Sequence, residues 1–220
     1  MSPKPRPRAD DDALVGRRRR QLTLAAIACF SARGYHSTTI RDVAERAEVS
    51  VGLVYQYVED KEDLLFMALQ EVLDAYRRRI PAALEGLSDP LERFHACVRS
   101  YCEVNDEASD ATVLAYRETK SLRPDRREII KRLELETNAM IDACIRDCIA
   151  AGVFTAVDIE MFTHQLVMFC HGWALKAWRL RERMTVADYV ARGLRLMLEP
   201  VLAPPAPTAS ERPRRRSSAR

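Results

Sequence analysis

Three consecutive large side chains with polar tips, Tyr55, Gln56 and Tyr57, lie in the segment VSVGLVYQYVEDKEDLL (residues 49–65). A glutamine amide can form two hydrogen bonds with the edge of an adenine, and a leucine can contact a thymine methyl group. Tyrosine hydroxyls can donate to phosphate oxygens, which positions a protein on a duplex without reading its sequence. Gly52 has no side chain, so the backbone can approach a duplex closely there. These residue types indicate contact with the major groove of DNA.

The valines of the same segment predict which face of a helix would carry this chemistry. Val54 and Val58 are four residues apart, so they face the interior of the fold together with Val49. The opposite face carries no carboxylate and consists of Gly52, Leu53, Gln56 and Tyr57, with Tyr55 beside them. We expect this uncharged face, rich in hydrogen-bonding groups, to enter the groove.

The elements that must position this face are two short helices joined by a three-residue turn and supported by a third helix, which together predict a helix-turn-helix. A first helix over residues 17–33 ends at Gly34, which is suited to close it. A second begins after Thr38 or Thr39, and Asp42 completes a partial capping box with Thr39. The turn 48–50 leads to a third helix over about 51–57, and Asp60 caps the next.

Ten residues are candidates for DNA contact on these grounds. They are Thr39, Arg41, Ser50, Val51, Gly52, Leu53, Tyr55, Gln56, Tyr57 and Lys61. Ser50, at the N-cap of the third helix, and Lys61, at the start of the next, are predicted to bind phosphates on either side of the groove. The basic run 17–20 is predicted to contact phosphates or the minor groove; the alternative is a solvated basic flank.

Helical signals continue through the rest of the chain. Only seven glycines occur in 220 residues, and no segment shows the alternating pattern of a strand. Further helices are predicted over about 61–80 (ended by Pro81), 90–107, 109–121, 124–151, 158–182 and 185–202. The sequence therefore predicts an all-α protein of about nine helices. Segments 1–16 and 203–220, rich in Pro and Arg, are predicted to be disordered because neither can bury enough apolar area.

The segment ACFSARGYHSTTIRDVAERAEVSVGLVYQYVEDKEDLL, with a few residues on each side, resembles the N-terminal domain of the tetracycline-repressor (TetR/AcrR) family of transcriptional regulators. The family pattern is matched at residues 30–35, 38–44, 49–57 and 61–64. Glu48 stands where Gly is common and Val58 where Phe is common. The resemblance implies a DNA-binding domain over 17–66 and a ligand-binding and dimerisation domain over 67–202. It also implies a homodimer on a palindromic operator, acting by repression and controlled by a small-molecule effector.

Two C-terminal helices independently indicate a dimer. The helix predicted over 158–182 is apolar nearly all round and must be covered on two sides, one of them by a partner subunit. The last helix carries an apolar stripe at helical spacing, formed by Val186, Tyr189, Val190, Gly193, Leu194, Met197 and Val201.

The composition limits the remaining function classes. The net charge is only +3, with basic residues concentrated at both ends of the chain. Six cysteines in apolar contexts indicate reduced thiols that pack as small hydrophobes. The stretch RRRRQLTLAAIACFSA is interpreted as the first helix rather than a signal peptide, and no segment approaches the ~20 apolar residues of a membrane span. We therefore expect a cytoplasmic protein without membrane contact.

Catalysis and metal binding find little support in the sequence. It contains no nucleophile motif and no paired acids in an apolar context, so we expect no enzyme activity and no cofactor. His164 and His171 are seven residues apart, with no further ligand at chelating spacing.

Candidate effector-binding residues have large, polar-tipped side chains on mainly apolar helices. They are Tyr101, Tyr116, Arg117, Asn138, Phe169 and Trp173, with His164, His171 and Trp178 as further possibilities. The stretches VLAYRETKSL (113–122) and FCHGWALKAW (169–178) resemble the subset of the family that senses acyl-CoA thioesters. That resemblance implies control of lipid or aromatic-acid catabolism by an acyl-CoA. The phosphates of such a ligand could be bound by Arg117, Lys120, Arg123 and Lys176.

Two alternatives remain open at this point. One is a repressor that senses an aromatic or drug-like metabolite, through a pocket built from Trp173, Phe169 and Tyr101, and controls an efflux or oxidation gene. The other is a helical enzyme or adaptor that merely carries a helix-turn-helix.

Overall fold

The structure is a computed structural model that describes residues 9–204, and the side chains of residues 13–204. Within this range ten α-helices and one short 3-10 helix follow one another, which confirms the all-α prediction. They are α1 (Ala9–Arg33), α2 (Ile40–Arg46), α3 (Val51–Val54), α4 (Lys61–Leu84), α5 (Pro90–Glu107), α6 (Ser109–Glu118), the 3-10 helix (Thr119–Ser121), α7 (Pro124–Ala150), α8 (Ile159–Leu175), α9 (Ala177–Leu180) and α10 (Val186–Leu198).

Side-chain caps start several of these helices where the sequence predicts them. Thr39 and Asp42 form a reciprocal capping box at α2, and Ser50 caps α3 by accepting from the Leu53 amide. Asp60 caps α4 in the same way. Gly34 closes the first helix with φ +83°, a conformation that glycine adopts at little cost. Local sequence thus determines these boundaries.

Other boundaries differ from the prediction. Helix α1 begins at Ala9, so residues 9–16 are corrected from disordered to helical. Residues 1–8 of that predicted tail, and nearly all of 203–220, lie outside the described residues. Pro81 lies inside α4, which continues to Leu84, because a proline near the end of a helix removes only one late hydrogen bond.

The helix predicted over 158–182 is broken at Lys176 into α8 and α9. The Lys176 amide still donates to the Gly172 carbonyl, which ends α8, and the chain then turns into α9. The turn brings the Arg181 guanidinium to Asp106 at the end of α5, with Nη2 2.8 Å from Oδ1. A long-range ion pair, which local sequence does not reveal, accompanies this break.

Helices α1, α2 and α3 pack around a small apolar core that includes Phe30, Val43 and Val54. The first turn of α4 closes this unit, which is referred to below as the head. The remaining helices form the body, in which α5 lies centrally and packs against α4, α7 and α8. Since α4 begins in the head and runs through the body, it physically connects the two.

Ion pairs join the head to the body at the start of α7. Arg123 lies 3.3 Å from both Asp60 and Glu62, and Arg126 contacts Asp63 and Glu62. Helix α1 also packs against α6. The orientation of the head is therefore held by charged groups as well as by apolar packing.

Across residues 9–204, none of the helices combines the length and the apolar character that crossing a lipid bilayer requires.

Candidate nucleic-acid interface and ligand cavity

The exposed face of α3 and the turn after it agrees in part with the face predicted from the sequence, because Leu53 and Tyr57, which were predicted to point outward, are half-buried. Val54 and Val58 are buried, whereas Tyr55 is 56% exposed and Gln56 is also exposed. Tyr57 is half-buried against the core. The side-chain amide of Gln56 and the hydroxyl of Tyr55 are thus accessible to a binding partner.

Residues 55–57 lie just beyond α3 in a tightened turn. The amide of Gln56 donates to the carbonyl of Leu53, and that of Tyr57 to Val54, at 3.1 and 2.9 Å. These bonds between residues three apart extend the helical path. The sequence expectation of a helix to about residue 57 is corrected to an α-helix that ends at Val54.

Gly52 is exposed, and the fold itself does not require a glycine there. A Cβ added at this position would meet only the Ser50 hydroxyl oxygen, at 4.0 Å, and φ is not in the left-handed region. Space inside the subunit is therefore ample. The lack of a side chain is more easily explained by something that approaches from outside.

The predicted phosphate contact at Lys61 is corrected by the structure. Its ammonium donates to the carbonyl oxygens of Tyr35, His36 and Thr38 at 2.9, 3.2 and 3.0 Å, and it lies over the Tyr35 ring. An ammonium has three hydrogens, so all its donors are used within the head. Lys61 fastens the turn before α2 to the start of α4, a long-range contact that the sequence could not show.

The other predicted phosphate contacts are placed differently. Arg41 is exposed, and within the described residues no carboxylate pairs with it. The Thr39 hydroxyl donates to Asp42 at 2.7 Å, so it serves the helix cap; these hydrogen bonds, with Arg33 nearby, hold the pKa of Asp42 below its usual range. Ser50 accepts from the Leu53 amide and keeps its own hydroxyl proton. Val51 and Leu53 are half-buried.

Arg19 of the basic run 17–20 on α1 lies near the end of α3 and the turn after it, residues 51–57, which are referred to below as the recognition segment. Arg19 borders a surface groove whose other walls include Tyr55, Gln56 and Tyr57. Arg126 of the body lines the same groove. The carboxylates of Glu59 and Asp63 line the groove as well, and Arg126 is paired with Asp63, so Arg19 is the basic residue of this groove that fits a phosphate contact.

A cavity of about 320 Å³ lies in the body between α4, α5, α6, α7 and α8. Its apolar walls include Leu69, Leu73 and Ile130. Its polar groups are contributed by Tyr76, Tyr101, Thr112, Tyr116, Thr119, Lys131, Glu134 and His171. The volume is at the low end of the range found for small-molecule sites.

A hydrogen-bonded chain of aromatic side chains crosses the cavity wall. The hydroxyl of Tyr116 lies 2.8 Å from His171 Nδ1, and that of Tyr101 lies 3.2 Å from Nε2. Burial lowers the pKa of His171 to about 4, so the ring is neutral near pH 7. A neutral imidazole donates through one nitrogen and accepts through the other, so both are satisfied by the two tyrosines.

The predicted effector-binding residues are not all brought together. Tyr101, Tyr116 and His171 line the cavity, whereas Arg117 is exposed and does not. Asn138 is also outside it, half-buried, with its side-chain oxygen lacking a hydrogen-bond partner in the described structure.

Phe169 and Trp173 belong to other contacts. The Phe169 ring stacks on Tyr189 of α10 at 4.4 Å, and a side chain at Gly193 would overlap it. The Trp173 indole donates to Asp106 at 2.8 Å. The prediction of these two residues as effector contacts is therefore corrected to helix packing, and an aromatic pocket of Trp173, Phe169 and Tyr101 is not formed.

Sequence reasoning missed Tyr76, Thr112 and Glu134. Tyr76 follows Leu69, Val72 and Leu73 at helical spacing. A tyrosine hydroxyl on this otherwise apolar stripe could have indicated from sequence that the residue lines a cavity. Glu134 has its pKa raised because surrounding protein removes water from its carboxyl group. Its residue is nevertheless exposed overall, which places it at the cavity mouth.

The cations suggested for thioester phosphates are spread over the surface. Arg123 is engaged by Asp60 and Glu62. Arg117, Lys120 and Lys176 are exposed. The cation that does line the cavity is Lys131, whose ammonium lies 2.7 Å from Glu128.

Known proteins match both halves of the chain. Residues 22–68 match the family described as bacterial regulatory proteins, tetR family, and residues 87–175 match the tetracyclin repressor-like C-terminal domain. The HTH-type transcriptional regulator HbdR of Aromatoleum sp. (strain CIB) is 49% identical over 199 residues, covering 90% of this chain and 87% of HbdR.

Solved structures show the same fold. A tetR-family regulatory protein from Rhodococcus RHA1 has a TM-score of 0.76 at 24% identity, covering 85% of this chain and 98% of that one. AibR, crystallised in complex with isovaleryl coenzyme A and operator DNA, has a TM-score of 0.70 at 18% identity, covering 81% and 97%.

Proposed function

The chain belongs to the tetR family of bacterial regulatory proteins, which are DNA-binding transcriptional regulators, and we propose that it is a homodimeric repressor whose affinity for a palindromic operator is switched by an acyl-CoA thioester. The target genes would then serve lipid or aromatic-acid catabolism. The observation that carries the effector proposal is a largely apolar cavity, open at one side, that is walled by α4, the helix that also begins in the head.

The proposed DNA contacts are the predicted ones without Lys61, whose ammonium donates to three carbonyl groups of the head. Gln56 reads a base edge, and Tyr55 and Tyr57 bind phosphates. Arg41, Ser50 and Arg19 add contacts to the DNA backbone on either side. Thr39 is also left out because its hydroxyl and its amide both donate to Asp42. Gly52, Leu53 and Val51 bring the α3 backbone close to the groove. The exposure of Tyr55 and Gln56 supports this arrangement.

A second copy of the chain is proposed to cover the outer faces of α8 and α10. Met161 and Met168 of α8 are 56% and 41% exposed, and Leu196 of α10 is 75% exposed. The other exposed positions of α10 include the charged residues Asp188, Arg192 and Arg195, and Val190 and Leu194 of the predicted apolar stripe are buried within the subunit, so α8 supplies the larger apolar part of the proposed interface. A two-fold dimer presents two recognition segments to the two halves of a palindrome.

The cavity is large enough for a short or aromatic acyl group but not for a whole coenzyme A. We therefore infer that the acyl group enters the cavity and that the nucleotide lies outside, beyond the mouth near Lys131 and Tyr116. The complex of AibR with isovaleryl coenzyme A supports a thioester of this size. An effector of this kind switches DNA affinity only if it binds the two head arrangements unequally.

The proposal is tested by fluorescence anisotropy with the DNA upstream of the protein's own gene. We expect specific binding with a steep salt dependence, and release by at least one of isovaleryl-, benzoyl- and longer acyl-CoAs. Free CoA is the control for the thioester. Specific DNA binding that no thioester alters would overturn the acyl-CoA assignment.

The Gly52→Ala variant tests the position of α3 separately. Alanine is tolerated in a helix and meets nothing inside the subunit, so the protein should be at least as stable as the wild type. We expect the dissociation constant for the operator to rise about tenfold, because the added methyl group would lie between the α3 backbone and the duplex. An unchanged dissociation constant would contradict the placement of α3 in the major groove.

The cavity also favours a second candidate, a repressor that senses a free aromatic metabolite and controls an efflux or oxidation gene. Tyr76, Tyr101 and Tyr116 line a volume of about 320 Å³, which a small aromatic molecule without CoA would fill. Release of operator DNA by free phenols or aromatic acids, and not by thioesters, would favour this candidate.

A further inference from the structure

Gln21 of α1 connects the first helix to the turn that leads into the recognition segment. Its Nε2 donates to the carbonyl oxygen of Ala47, the C-cap residue of α2, at 2.7 Å, across 26 positions of the chain. Arg18, one helical turn earlier on α1, donates from Nη1 to Oε1 of the same amide at 2.8 Å. Because a guanidinium can only donate, this second bond fixes the orientation of the amide and directs its N–H groups towards Ala47.

The turn that receives this bond is a Schellman motif with an unusual residue at its left-handed position. The Glu48 amide donates to the Glu45 carbonyl and the Val49 amide to the Ala44 carbonyl, each at 3.0 Å, which is the hydrogen-bond pattern of that motif. Glycine normally occupies the position that Glu48 holds with φ +54°. A side chain makes the left-handed conformation costly, so the turn needs support from outside its own residues.

Gln21 gives the turn this support. Among the side chains of the described residues, it is the one that hydrogen-bonds to the backbone of residues 47–49. The last carbonyl groups of a helix have no partner within the helix, and that of Ala47 is satisfied in this way. Ser50 follows the turn directly and caps α3 by accepting from the Leu53 amide at 3.1 Å. The direction in which the recognition segment leaves the turn is therefore set by residues that Gln21 fixes to α1.

The basic run 17–20 contains two kinds of arginine. Arg17, Arg19 and Arg20 are exposed, whereas Arg18 is half-buried and bonded to the Gln21 amide. The exposed three can meet phosphates directly. Arg18 instead belongs to the support of the turn.

We propose that Gln21 is a positioning residue for DNA recognition, which holds the turn 47–49, and through it the recognition segment, in the orientation that fits the operator. Arg18 contributes by orienting the Gln21 amide. This inference rests on the proposed DNA contacts of the recognition segment. It predicts that loss of the amide impairs discrimination between DNA sequences, since Gln56 is then displaced from the base edge. A residue that touched a phosphate would contribute about equally to all sequences.

The Gln21→Ala variant is measured by fluorescence anisotropy on two duplexes, the DNA upstream of the protein's own gene and a scrambled sequence of the same composition. We expect the dissociation constant for the specific duplex to rise about tenfold, the upper end of the effect of one hydrogen bond, and that for the scrambled duplex to change less than about twofold. The salt slope should stay the same, because no phosphate contact is lost. Gln21→Glu keeps an acceptor for Arg18 but has no N–H for Ala47, so it should impair specific binding at least as much.

Glu48→Gly provides a rescue of Gln21→Ala. Glycine adopts the left-handed conformation at little steric cost, so the turn keeps its shape without the amide. In the Gln21→Ala background, it should return the specific dissociation constant to within about threefold of the wild-type value, a coupling that two independent residues would not show. Glu45→Gly in the same background is the matched control, because its backbone is helical, and it should restore nothing. Circular dichroism at the assay temperature shows whether each variant is folded, so that unfolding is not mistaken for weaker binding.

An unchanged ratio of the two dissociation constants in Gln21→Ala would overturn the proposal. Equal losses on both duplexes with a smaller salt slope would do the same, since they would make Gln21 a contact to the DNA backbone. Failure of Glu48→Gly to restore specific binding would exclude the turn as the route.

Two further measurements separate this proposal from the DNA contacts on which it rests. If Gly52→Ala weakens operator binding and Gln21→Ala does not, the contacts stand and the positioning role fails. Amide hydrogen exchange needs no DNA: the Val49 amide should exchange faster in Gln21→Ala and regain protection when Glu48→Gly is added. This exchange pattern in a protein that binds no duplex specifically would support the hold of Gln21 on the turn and overturn its role in recognition.

Discussion

Gln56, Tyr55 and Tyr57 are the residues from which the function was first predicted. Gln56 and Tyr55 are exposed, whereas Tyr57 is half-buried against the core. Of the basic residues once grouped with them, Lys61 is committed to three carbonyl groups, whereas Arg41 is exposed and, in the described structure, not ion-paired. Side chains with similar chemistry thus have different roles because of what lies within 3 Å or so of them.

Gln56→Ala should lose discrimination at one or two base pairs of the operator, by about 1–3 kcal/mol at each, because two hydrogen bonds to a base edge disappear. Arg41→Ala should instead weaken binding to all sequences about equally and reduce the salt slope by about one. Both effects can be measured by anisotropy titrations on operators with single substitutions. Equal loss across all operators for Gln56→Ala would contradict its role in base reading.

The lowered pKa of His171 makes the free energy of unfolding depend on pH, and the direction of the shift determines the sign of that dependence. Burial lowers its pKa to about 4, below its ordinary value of 6.5, so the unfolded chain takes up a proton between these values while the folded chain does not. The free energy of unfolding should therefore fall as pH drops from about 7 to 4, by at most about 1.4 kcal/mol per pH unit from this group.

Urea unfolding of wild type and His171→Gln over this range isolates the contribution. The pKa of His95 is also lowered, by burial and by Arg99, but His95 is present in both proteins and cancels in the difference. The variant should be less stable near pH 7 and approach the wild type near pH 4. Parallel curves would show that His171 is not buried in its neutral form.

At the scale of elements, the turn between α2 and α3 carries a local strain. Glu48 has φ +54°, in the left-handed region that favours glycine, and its amide donates to the Glu45 carbonyl at 3.0 Å. The sequence departs from the family pattern at this position, where Gly is common. The geometry of the turn is therefore retained by its surroundings at some energetic cost.

Glu48→Gly should stabilise the protein by about 0.5 kcal/mol, since relief of about 1–2 kcal/mol of strain is partly offset by the greater chain entropy of glycine. Glu45→Gly, one turn earlier and inside α2, should destabilise it by about 1 kcal/mol. Chemical denaturation of the two variants measures both changes. Destabilisation by Glu48→Gly would mean that the left-handed conformation is not the native one.

At the scale of the whole molecule, the cavity and the head are linked through two helices. Helix α4 contributes Leu69 and Tyr76 to the cavity and begins in the head, while α7 contributes Ile130 and begins at the ion pairs with α4. A ligand that moves α4 against α7 must therefore strain these ion pairs. We propose that they transmit the effector signal to the head.

Arg126→Gln should reduce the change in operator affinity that the best-releasing thioester causes, and alter the affinity without effector by less than about threefold. Coupling energies between such sites are typically about 1–3 kcal/mol, so a loss of half is measurable from operator dissociation constants with and without effector. Arg127→Gln is the matched control, because no ion pair involving Arg127 is found in the described structure. Unchanged coupling in Arg126→Gln would exclude this route.

The sequence by itself determined the helical class, the caps at Thr39, Ser50 and Asp60, and the buried side of α3. These features depend on residues within four positions of one another, and helical periodicity and capping act at that range. It also led to the family, because the motif around the recognition segment is contiguous in the chain.

Only the tertiary structure decided which polar side chains share a space. It assigned Lys61 to the turn at residues 35–38, moved Phe169 and Trp173 from the effector site to helix packing, and brought Tyr76, Tyr101 and His171 to one cavity. Each of these partners is separated in the chain by twenty residues or more. Such contacts follow from how whole helices pack, and no local pattern of residue types encodes that packing.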